Sequence, residues 1–258
     1  MECNEKNIVL NFIKGYGNNL RYASEGLKDD KDIVLTAVKK DGSALRFASK
    51  KMQNDKEVVL EAVKQNIFAL EYASERLKND KEVVREAVKN KGYALEFASN
   101  KLKNDKEIVL EAVKENASVL MYASNNLKDD KEVVLEAVKN DVYALEYASD
   151  RLKNDKDIIL QAVKEDGYAL YLVSDELRDD KDVVLEAVKE DVLALDFASE
   201  KLKDDKEVVL EAVKRSGYAL KYASDKLQAE FEEKGIERIE REIREGKTDK
   251  KIERIEYI

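Results

Sequence analysis

The amino-acid sequence predicts an all-α fold: a right-handed αα-solenoid of nine 25-residue two-helix repeats with a helical C-terminal cap. Three observations support this prediction. One 25-residue unit recurs without interruption from Glu5 to Ala229. Apolar residues in both halves of the unit have the spacing of a helix face, and acidic residues stand where the first helix would begin, at the end that its dipole makes favourable for them. Short helices of this kind are stabilised by stacking on their neighbours.

We number the repeats 1 to 9 from Glu5 and the residues within each repeat as positions 1 to 25. Repeat 3, for example, runs from Asp55 to Asn79. Positions 2 and 10 are Lys, position 16 is Leu and position 20 is Ser in all nine copies. Repeats 2 to 9 each begin at an aspartate: Asp30, Asp55, Asp80, Asp105, Asp130, Asp155, Asp180 and Asp205.

The first half of the repeat is predicted to form a helix of about ten residues. In repeat 3, Asn54 or Asp55 is an N-cap residue, and Glu57 follows as in a capping box. Positions 4, 5, 8 and 9 are apolar and fall on one face. Glycines such as Gly42 follow this helix, which is typical of a helix C-terminus.

The second half is predicted to form one further helix, with positions 15, 16, 19, 20 and 23 on a broad buried face. Position 18 is aromatic in eight repeats and is expected to contact the next repeat. The Ala-Ser pair at positions 19 and 20 is expected to let helices approach closely, with the Ser hydroxyl bonded to a carbonyl one turn back. A row of nine serines could instead supply nucleophiles, but no recurring base accompanies it. Val173 replaces the small Ala once, which predicts a wider local spacing.

The chain is divided by this pattern into a solenoid over residues 1–229 and a helical cap over residues 230–258. Apolar residues at helical spacing predict one longer amphipathic helix after Ala229, a break over Gly246–Asp249 and a second short helix. Terminal repeats of a solenoid need such a cover for their last apolar face. The alternative is a helix that binds a partner or dimerises.

Composition excludes several classes of function. Histidine is absent and Cys3 is the only cysteine, so the usual general base, the usual zinc ligands and internal disulfides are all missing. We therefore expect no catalytic residues, no cofactor and no enzyme activity. The Asp-rich junctions lack the central Gly and alternating ligands of a calcium loop and carry a Lys at position 2, so no metal site is expected.

The charge balance and hydropathy narrow the partners and the location. The net charge is −9 with both signs interleaved, which disfavours direct binding of nucleic acid. No apolar run reaches the roughly 20 residues of a membrane span, and the N-terminus lacks the layout of a secretory signal. A cytoplasmic monomer that does not bind membranes is the expectation.

The recurring residue pattern resembles that of a known family. DKEVVLEAVKQN followed by ALEYASERLKN in repeat 3 is similar to the tandem helical repeat family catalogued as domain of unknown function 4116. The resemblance covers Glu5 to Ala229 and rests on the Asp-Lys-Glu opening, the Ala-Val-Lys centre and the Ala-Ser close. It implies tandem helical pairs and carries no catalytic residues with it.

Two outward surfaces differ in variability. On the first helix, positions 3, 7 and 10 repeat Asp or Glu, mostly Glu, and Lys, which is typical of a solvated face. On the second, positions 14, 17 and 21 vary and carry the aromatic and Met residues that are enriched in interfaces. The predicted partner-binding residues are Phe68, Tyr93, Met121, Tyr143, Tyr168, Tyr171 and Tyr218. The alternative is that these positions drift without function and that the position 14 aromatics stack between repeats.

The sequence thus favours a non-enzymatic scaffold that binds a protein or peptide on the second-helix face. An acidic binder or inhibitor of a nucleic-acid-handling protein, or a direct nucleic-acid binder, is the alternative. Position 17 is basic at Arg21 and Arg46, mostly acidic in the middle repeats and basic again at Lys221. This order would suit an extended partner whose charges follow the opposite sequence of signs.

Overall fold

The computed structural model describes the backbone of residues 2–253 and the side chains of residues 6–245. Within these ranges the chain contains α- and 3-10 helices and no strand, so the all-α repeat fold is confirmed. The chain divides into two compact units, Met1–Tyr147 and Ala148–Ile258. No helix of the described residues is long and apolar enough to cross a membrane.

Each repeat contains three helical elements rather than two. A long α-helix covers positions 2 to 11, a middle helix ends at position 18, and a short third helix precedes the next repeat. In the first unit the long helices are Glu2–Gly15, Lys31–Lys40, Lys56–Gln65, Lys81–Asn90, Lys106–Glu115 and Lys131–Asn140. The middle helices are the 3-10 helices Gly17–Tyr22, Gly42–Phe47, Gly92–Phe97, Ala117–Tyr122 and Val142–Tyr147 and the α-helix Ala69–Tyr72. The third helices are Glu25–Lys28, Met52–Asn54, Glu75–Lys78, Leu102–Asn104 and Asn125–Lys128.

The second unit has the same order of elements and ends in two longer helices. It begins with the third helix of repeat 6, Asp150–Lys153. Its long helices are Lys156–Glu165, Lys181–Glu190 and Lys206–Arg215. The 3-10 helices are Gly167–Leu172, Val192–Phe197 and Gly217–Tyr222, and the third helices of repeats 7 and 8 are Asp175–Arg178 and Glu200–Lys203. The chain closes with Asp225–Lys234 and Ile236–Glu253.

The core of each unit is built from the positions that the helical period predicts. Val58, Val59, Ala62 and Val63 on the long helix of repeat 3 are fully buried. Alanine and leucine at positions 15, 16, 19 and 23 cover them from the second half of the repeat. Long helices of successive repeats pack on one another within each unit. Burial against neighbours therefore stabilises helices too short to persist alone.

The long helices of repeats 2 to 9 begin at an aspartate N-cap, but the predicted capping box is wrong. The carboxylate of Asp55 accepts the backbone N–H of Val58 at 3.1 Å. Glu57 is the second residue of the helix, one position too early to reach back to the cap. Its carboxylate instead pairs at 2.8 Å with Lys31 of the preceding repeat. This glutamate therefore joins two repeats, and Asp55 alone caps its helix.

The Ala-Ser pair divides the second half of the repeat, so the expectation of one continuous helix there is wrong. Ala73 and Ser74 have extended backbones, with ψ of 154° and 155°. The backbone N–H of Ser74 donates to the carbonyl of Gln53 at 2.9 Å, and its hydroxyl donates to Asn54 Oδ1 at 2.6 Å. Both partners belong to the preceding repeat. The hydroxyl thus bonds across a junction and not to a carbonyl one turn back.

Gly42 follows the long helix of repeat 2, but its role differs from the predicted helix C-cap. It does not have a positive φ. A Cβ placed on it would lie 2.2 Å from the Ala62 carbonyl oxygen and 2.9 Å from the backbone nitrogen of Asn66, both in the next repeat. Gly42 therefore permits a close approach of two backbones at this junction.

Repeat 7 departs from its neighbours at Val173. The hydroxyl of Ser174 has no hydrogen-bond partner in the described structure, whereas that of Ser199 in repeat 8 donates to Asp179 at 2.6 Å. Asn154 is the last residue of repeat 6, as Asp179 is of repeat 7, and its side-chain amide donates to the backbone carbonyl of Asp150 in its own helix. The junction of repeats 6 and 7 thus lacks this hydroxyl contact, while the wider spacing expected at Val173 stays a prediction.

The C-terminal segment contains a break, though not where it was predicted. Asp225–Lys234 begins as the third helix of repeat 9 and continues past Ala229. The break falls at Gly235, which has a φ of 76°. The backbone of Ile236–Glu253 is helical through residues 246–249, so the predicted break there is wrong. Phe231 and Ile239 are buried and the last helix packs on Lys206–Arg215, while the domain boundary at residue 229 stays a prediction.

Candidate partner-binding face

The candidate site is a surface formed by positions 14, 17, 18 and 21, which we call the 3-10 face. A 3-10 helix has three residues per turn, so side chains three apart lie one above the other. Positions 13 and 16 consequently point into the core in most repeats, while positions 14 and 17 point outward. Every position 17 and every position 21 in repeats 1 to 9 is exposed. The three-residue period thus creates a regular outward row within each unit.

Aromatic side chains at position 14 contact the aromatic residue at position 18 of the following repeat. The rings of Phe68 and Phe97 are 5.9 Å apart, and those of Tyr93 and Tyr122 are 6.1 Å apart, both edge to face. Such pairs are worth about 0.5–1.5 kcal/mol beyond the area that they bury. Phe68 and Tyr93 therefore pack between repeats, but on position 18 residues and not on other position 14 residues as the alternative interpretation expected.

The second unit has a denser aromatic group. Tyr168 and Tyr171 lie 5.5 Å apart, and their rings lie 5.2 and 5.3 Å from that of Phe197. In repeat 9, Lys221 Nζ lies 3.9 Å from the ring centroid of Tyr218. The lysine lowers the pKa of the Tyr218 hydroxyl, because it hydrogen-bonds to the ionised form and stabilises it.

The structure places all seven predicted site residues on the 3-10 face, spread over both units. Six have exposed side chains and Tyr168 is half-buried. Met121 is 41% exposed and is the one predicted site residue without an aromatic ring. Met121 and Tyr171 are at position 17. The other five are at position 14: Phe68, Tyr93, Tyr143, Tyr168 and Tyr218.

Some exposed residues were not predicted as part of a site. Leu193 at position 14 is as exposed as Tyr93 and belongs to the 3-10 face. Ile8 and Phe12 on the long helix of repeat 1 are 53% and 66% exposed, although the same positions are buried in repeat 3. The sequence signal for Leu193 is its place at position 14, but its side chain is not aromatic and so was not among the predicted site residues.

A second surface, at the beginning of the long helices, carries a ladder of ion pairs between repeats. The Nζ of Lys56 lies 2.8 Å from a carboxylate oxygen of Asp80 and 2.8 Å from one of Glu82, both in the next repeat. Burial alone would raise the pKa of Asp80, but the bonds from Lys56 and from the Val83 N–H hold it below its ordinary value. The same pairing by position 2 is made by Lys31, Lys81, Lys106, Lys156 and Lys181.

Charges on the 3-10 face are less completely paired. The Arg46 guanidinium stacks 4.4 Å from the ring centroid of Phe47, and among the described residues neither it nor Glu71 forms an ion pair. Burial raises the pKa of the Tyr122 hydroxyl, and the nearby carboxylate of Glu96 raises it further. Among the described residues, Arg46 and Glu71 are therefore not neutralised by an ion pair, whereas the long-helix ladder pairs its charges between repeats.

Arg46 and Glu71 meet at a cleft between repeats 2 and 3. Lys50 and Gln53 line the repeat 2 side with Arg46. The repeat 3 side is lined by Glu71, Tyr72, Ala73, Ser74, Glu75 and Lys78. Arg46 and Lys50 thus stand on the repeat 2 side, while the repeat 3 side carries Glu71 together with Glu75 and Lys78, which pair with each other at 3.0 Å. Among the described residues, no group of three or more metal-ligating side chains is found.

Comparison with known proteins gives one family. The family model described as a domain of unknown function, DUF4116, matches residues 5–53, 55–103, 80–128, 105–152, 130–178 and 180–228. Each match begins at the first position of a repeat and spans about two of them. No curated protein and no solved structure matches the chain.

Proposed function

The chain belongs to the DUF4116 family, and on that premise we propose that it is a non-enzymatic repeat scaffold that binds a protein or peptide on the 3-10 face. The observation that carries this proposal is the contrast between two surfaces of the same repeat. The long-helix surface repeats its residues and pairs its charges between repeats. The 3-10 face varies and exposes Met121 together with aromatic rings, the residue types that anchor interfaces.

The position 14 and position 17 residues have different parts in this proposal. Tyr93 packs on Tyr122, so its replacement would weaken the junction between repeats as well as any partner contact. Met121 and Glu96 at position 17 are exposed, whereas Tyr171, also at position 17, packs on Tyr168 and Phe197. A Met121 variant therefore tests binding without removing any of the aromatic ring pairs between repeats.

An inhibitor that presents an acidic ladder to a nucleic-acid-handling protein is less well supported. The acidic residues of the long helices are matched by Lys at position 2, as Asp105 and Glu107 are by Lys81. A partner held by charge alone would dissociate steeply as salt rises, whereas one anchored by aromatic and Met contacts would not. The cytoplasmic location and the monomeric state stay predictions.

The proposal is tested by quantitative affinity capture from the host with three forms of the purified chain. Met121→Lys alters the exposed face, Glu115→Lys alters an exposed residue at the end of a long helix, and the unchanged chain is the reference. We expect at least one protein that is enriched by the reference and by Glu115→Lys and that Met121→Lys loses about fivefold or more. Equal capture of every enriched protein by all three forms would contradict the proposed face.

A further inference from the structure

The 3-10 face of the first unit carries an ordered series of charges, one per repeat. Position 17 is Arg21, Arg46, Glu71, Glu96 and Met121 in repeats 1 to 5, and all five side chains are exposed. The sign changes at the cleft between repeats 2 and 3, where Arg46 and Glu71 face the same space. A ligand that pairs with both Arg46 and Glu71 must carry both signs in a fixed order.

The distance between repeats restricts the shape of such a ligand. Packed helices lie about 8–10 Å apart, so successive position 17 groups are separated by about that distance. A polyproline II helix rises about 3.1 Å per residue with three residues per turn, or about 9 Å per turn. Its side chains at every third residue lie on one side and recur at the spacing of the repeats. A β-strand turns alternate side chains to opposite sides, so its third residue would point away.

Aromatic residues on the same face fit this conformation. The edge-to-face pairs Phe68–Phe97 and Tyr93–Tyr122 form ridges between neighbouring repeats, and Tyr72 lines the cleft. Grooves lined by aromatic rings are a recurring way to bind polyproline II segments, because proline rings pack on them and the ligand loses little entropy. Charge fixes the register in such a groove, and the ridges supply apolar contact.

We propose that this row binds a peptide segment in polyproline II conformation that bears an acidic residue and, three and six residues further along in either chain direction, two basic residues. The acidic side chain pairs with Arg46, and the basic side chains pair with Glu71 and Glu96. Prolines between them pack on the aromatic ridges. This inference rests on the proposed function, because it assigns the partner of that same face.

The test uses fluorescein-labelled synthetic peptides and the full chain, with binding measured by fluorescence anisotropy at low and at physiological salt. The matched-register peptides contain Glu-Pro-Pro-Arg-Pro-Pro-Arg or its reverse order. The control peptide has the same composition with the charged residues two apart. Two additional exposed ion pairs predict that the better matched-register peptide binds about tenfold tighter than the control. Equal binding of all three peptides would overturn the register.

Charge reversal on the protein supplies the second arm. Glu71→Lys combined with Glu96→Lys is expected to weaken the matched-register peptide about tenfold and to favour a peptide with Glu at all three positions. The matched control is Glu115→Lys combined with Glu190→Lys, which changes net charge equally at exposed ends of long helices. If both double variants weaken binding equally, the peptide responds to net charge and the assignment fails.

A random peptide library selected on the unchanged chain separates this inference from the proposed function. Selected peptides that Met121→Lys weakens, but that lack the three-residue charge register, would overturn the inference and leave a peptide-binding face intact. Selected peptides that carry the register would support both. If no selected peptide is sensitive to Met121→Lys or to the Glu71 and Glu96 reversal, both the inference and the face are refuted.

Discussion

Gly42→Ala should destabilise the chain, while Gly217→Ala at the same position of repeat 9 should stabilise it. Gly42 lies against the next repeat, and a Cβ there would stand 2.2 Å from the Ala62 carbonyl oxygen. No heavy atom lies within 4 Å of a Cβ built on Gly217. Neither glycine has a positive φ, unlike Gly235, so backbone strain does not enter the comparison. The two substitutions therefore differ only in what the added methyl group meets.

The magnitude follows from two opposing effects. Alanine restricts the unfolded chain and gains about 0.4–1 kcal/mol at a compatible site. Overpacking against backbone costs about 1–3 kcal/mol, and Ala117, which occupies position 13 in repeat 5, shows that a junction can be built with a Cβ. The free-energy cost of Gly42→Ala is thus the cost of moving repeats 2 and 3 apart at their junction. We expect the free energies of unfolding of the two variants to differ by about 1–3 kcal/mol.

Urea denaturation followed by far-UV circular dichroism measures this difference, with the unchanged chain as reference. Gly217→Ala should raise the midpoint or leave it in place, and Gly42→Ala should lower it. Gly15→Ala is a second control, since it too has no heavy atom within 4 Å of its Cβ. If Gly42→Ala and Gly217→Ala shift the midpoint equally and in the same direction, the close approach of repeats 2 and 3 is refuted.

Two further predictions concern the junctions. Ser199→Ala should cost about 1 kcal/mol of stability, because it removes an N-cap and the bond to Asp179. Ser174→Ala should be neutral, because the Ser174 hydroxyl has no partner in the described structure. Equal urea midpoints for the two variants would contradict this. The pKa of Asp80 lies below its ordinary 3.8, so its pairing stabilises the fold above that pH and is lost as pH falls through the lowered value. Asp80→Asn, which keeps a capping side chain, should lower stability at pH 7 by up to about 1 kcal/mol and by less at pH 3; an equal loss at both pH values would count against the pairing with Lys56.

The core could be predicted from the sequence because it depends on local periodicity. Val58, Val59, Ala62 and Val63 recur at the spacing of one helix face, and all four are fully buried. The outward direction of the Met121 side chain could be predicted in the same way, from its spacing along the sequence relative to the buried Leu120 and Ala123. Residues whose environment is set by their own helix are thus accessible to a pattern in the chain.

The misassigned residues are those whose partners lie one repeat away. Glu57 has the spacing of a capping box but pairs with Lys31, and Ser74 has the character of a buried helix residue but bonds to Asn54. Gly42 follows a helix as a C-cap would, yet its small size is needed by Ala62 of the next repeat. Each of these residue types suits a partner in its own helix as well as a partner in the neighbouring repeat. Only the packed structure shows which of the two partners the residue contacts.

Hydrogen–deuterium exchange of the chain with and without a bound partner or selected peptide tests the central claim most directly. If the 3-10 face is the binding surface, exchange should slow on binding in residues 68–75, 93–100 and 118–125, which cover positions 14 to 21 of repeats 3 to 5. Exchange in the long helices Lys56–Gln65 and Lys81–Asn90 should change little. Protection confined to those long helices, with no change over positions 14 to 21, would contradict the account.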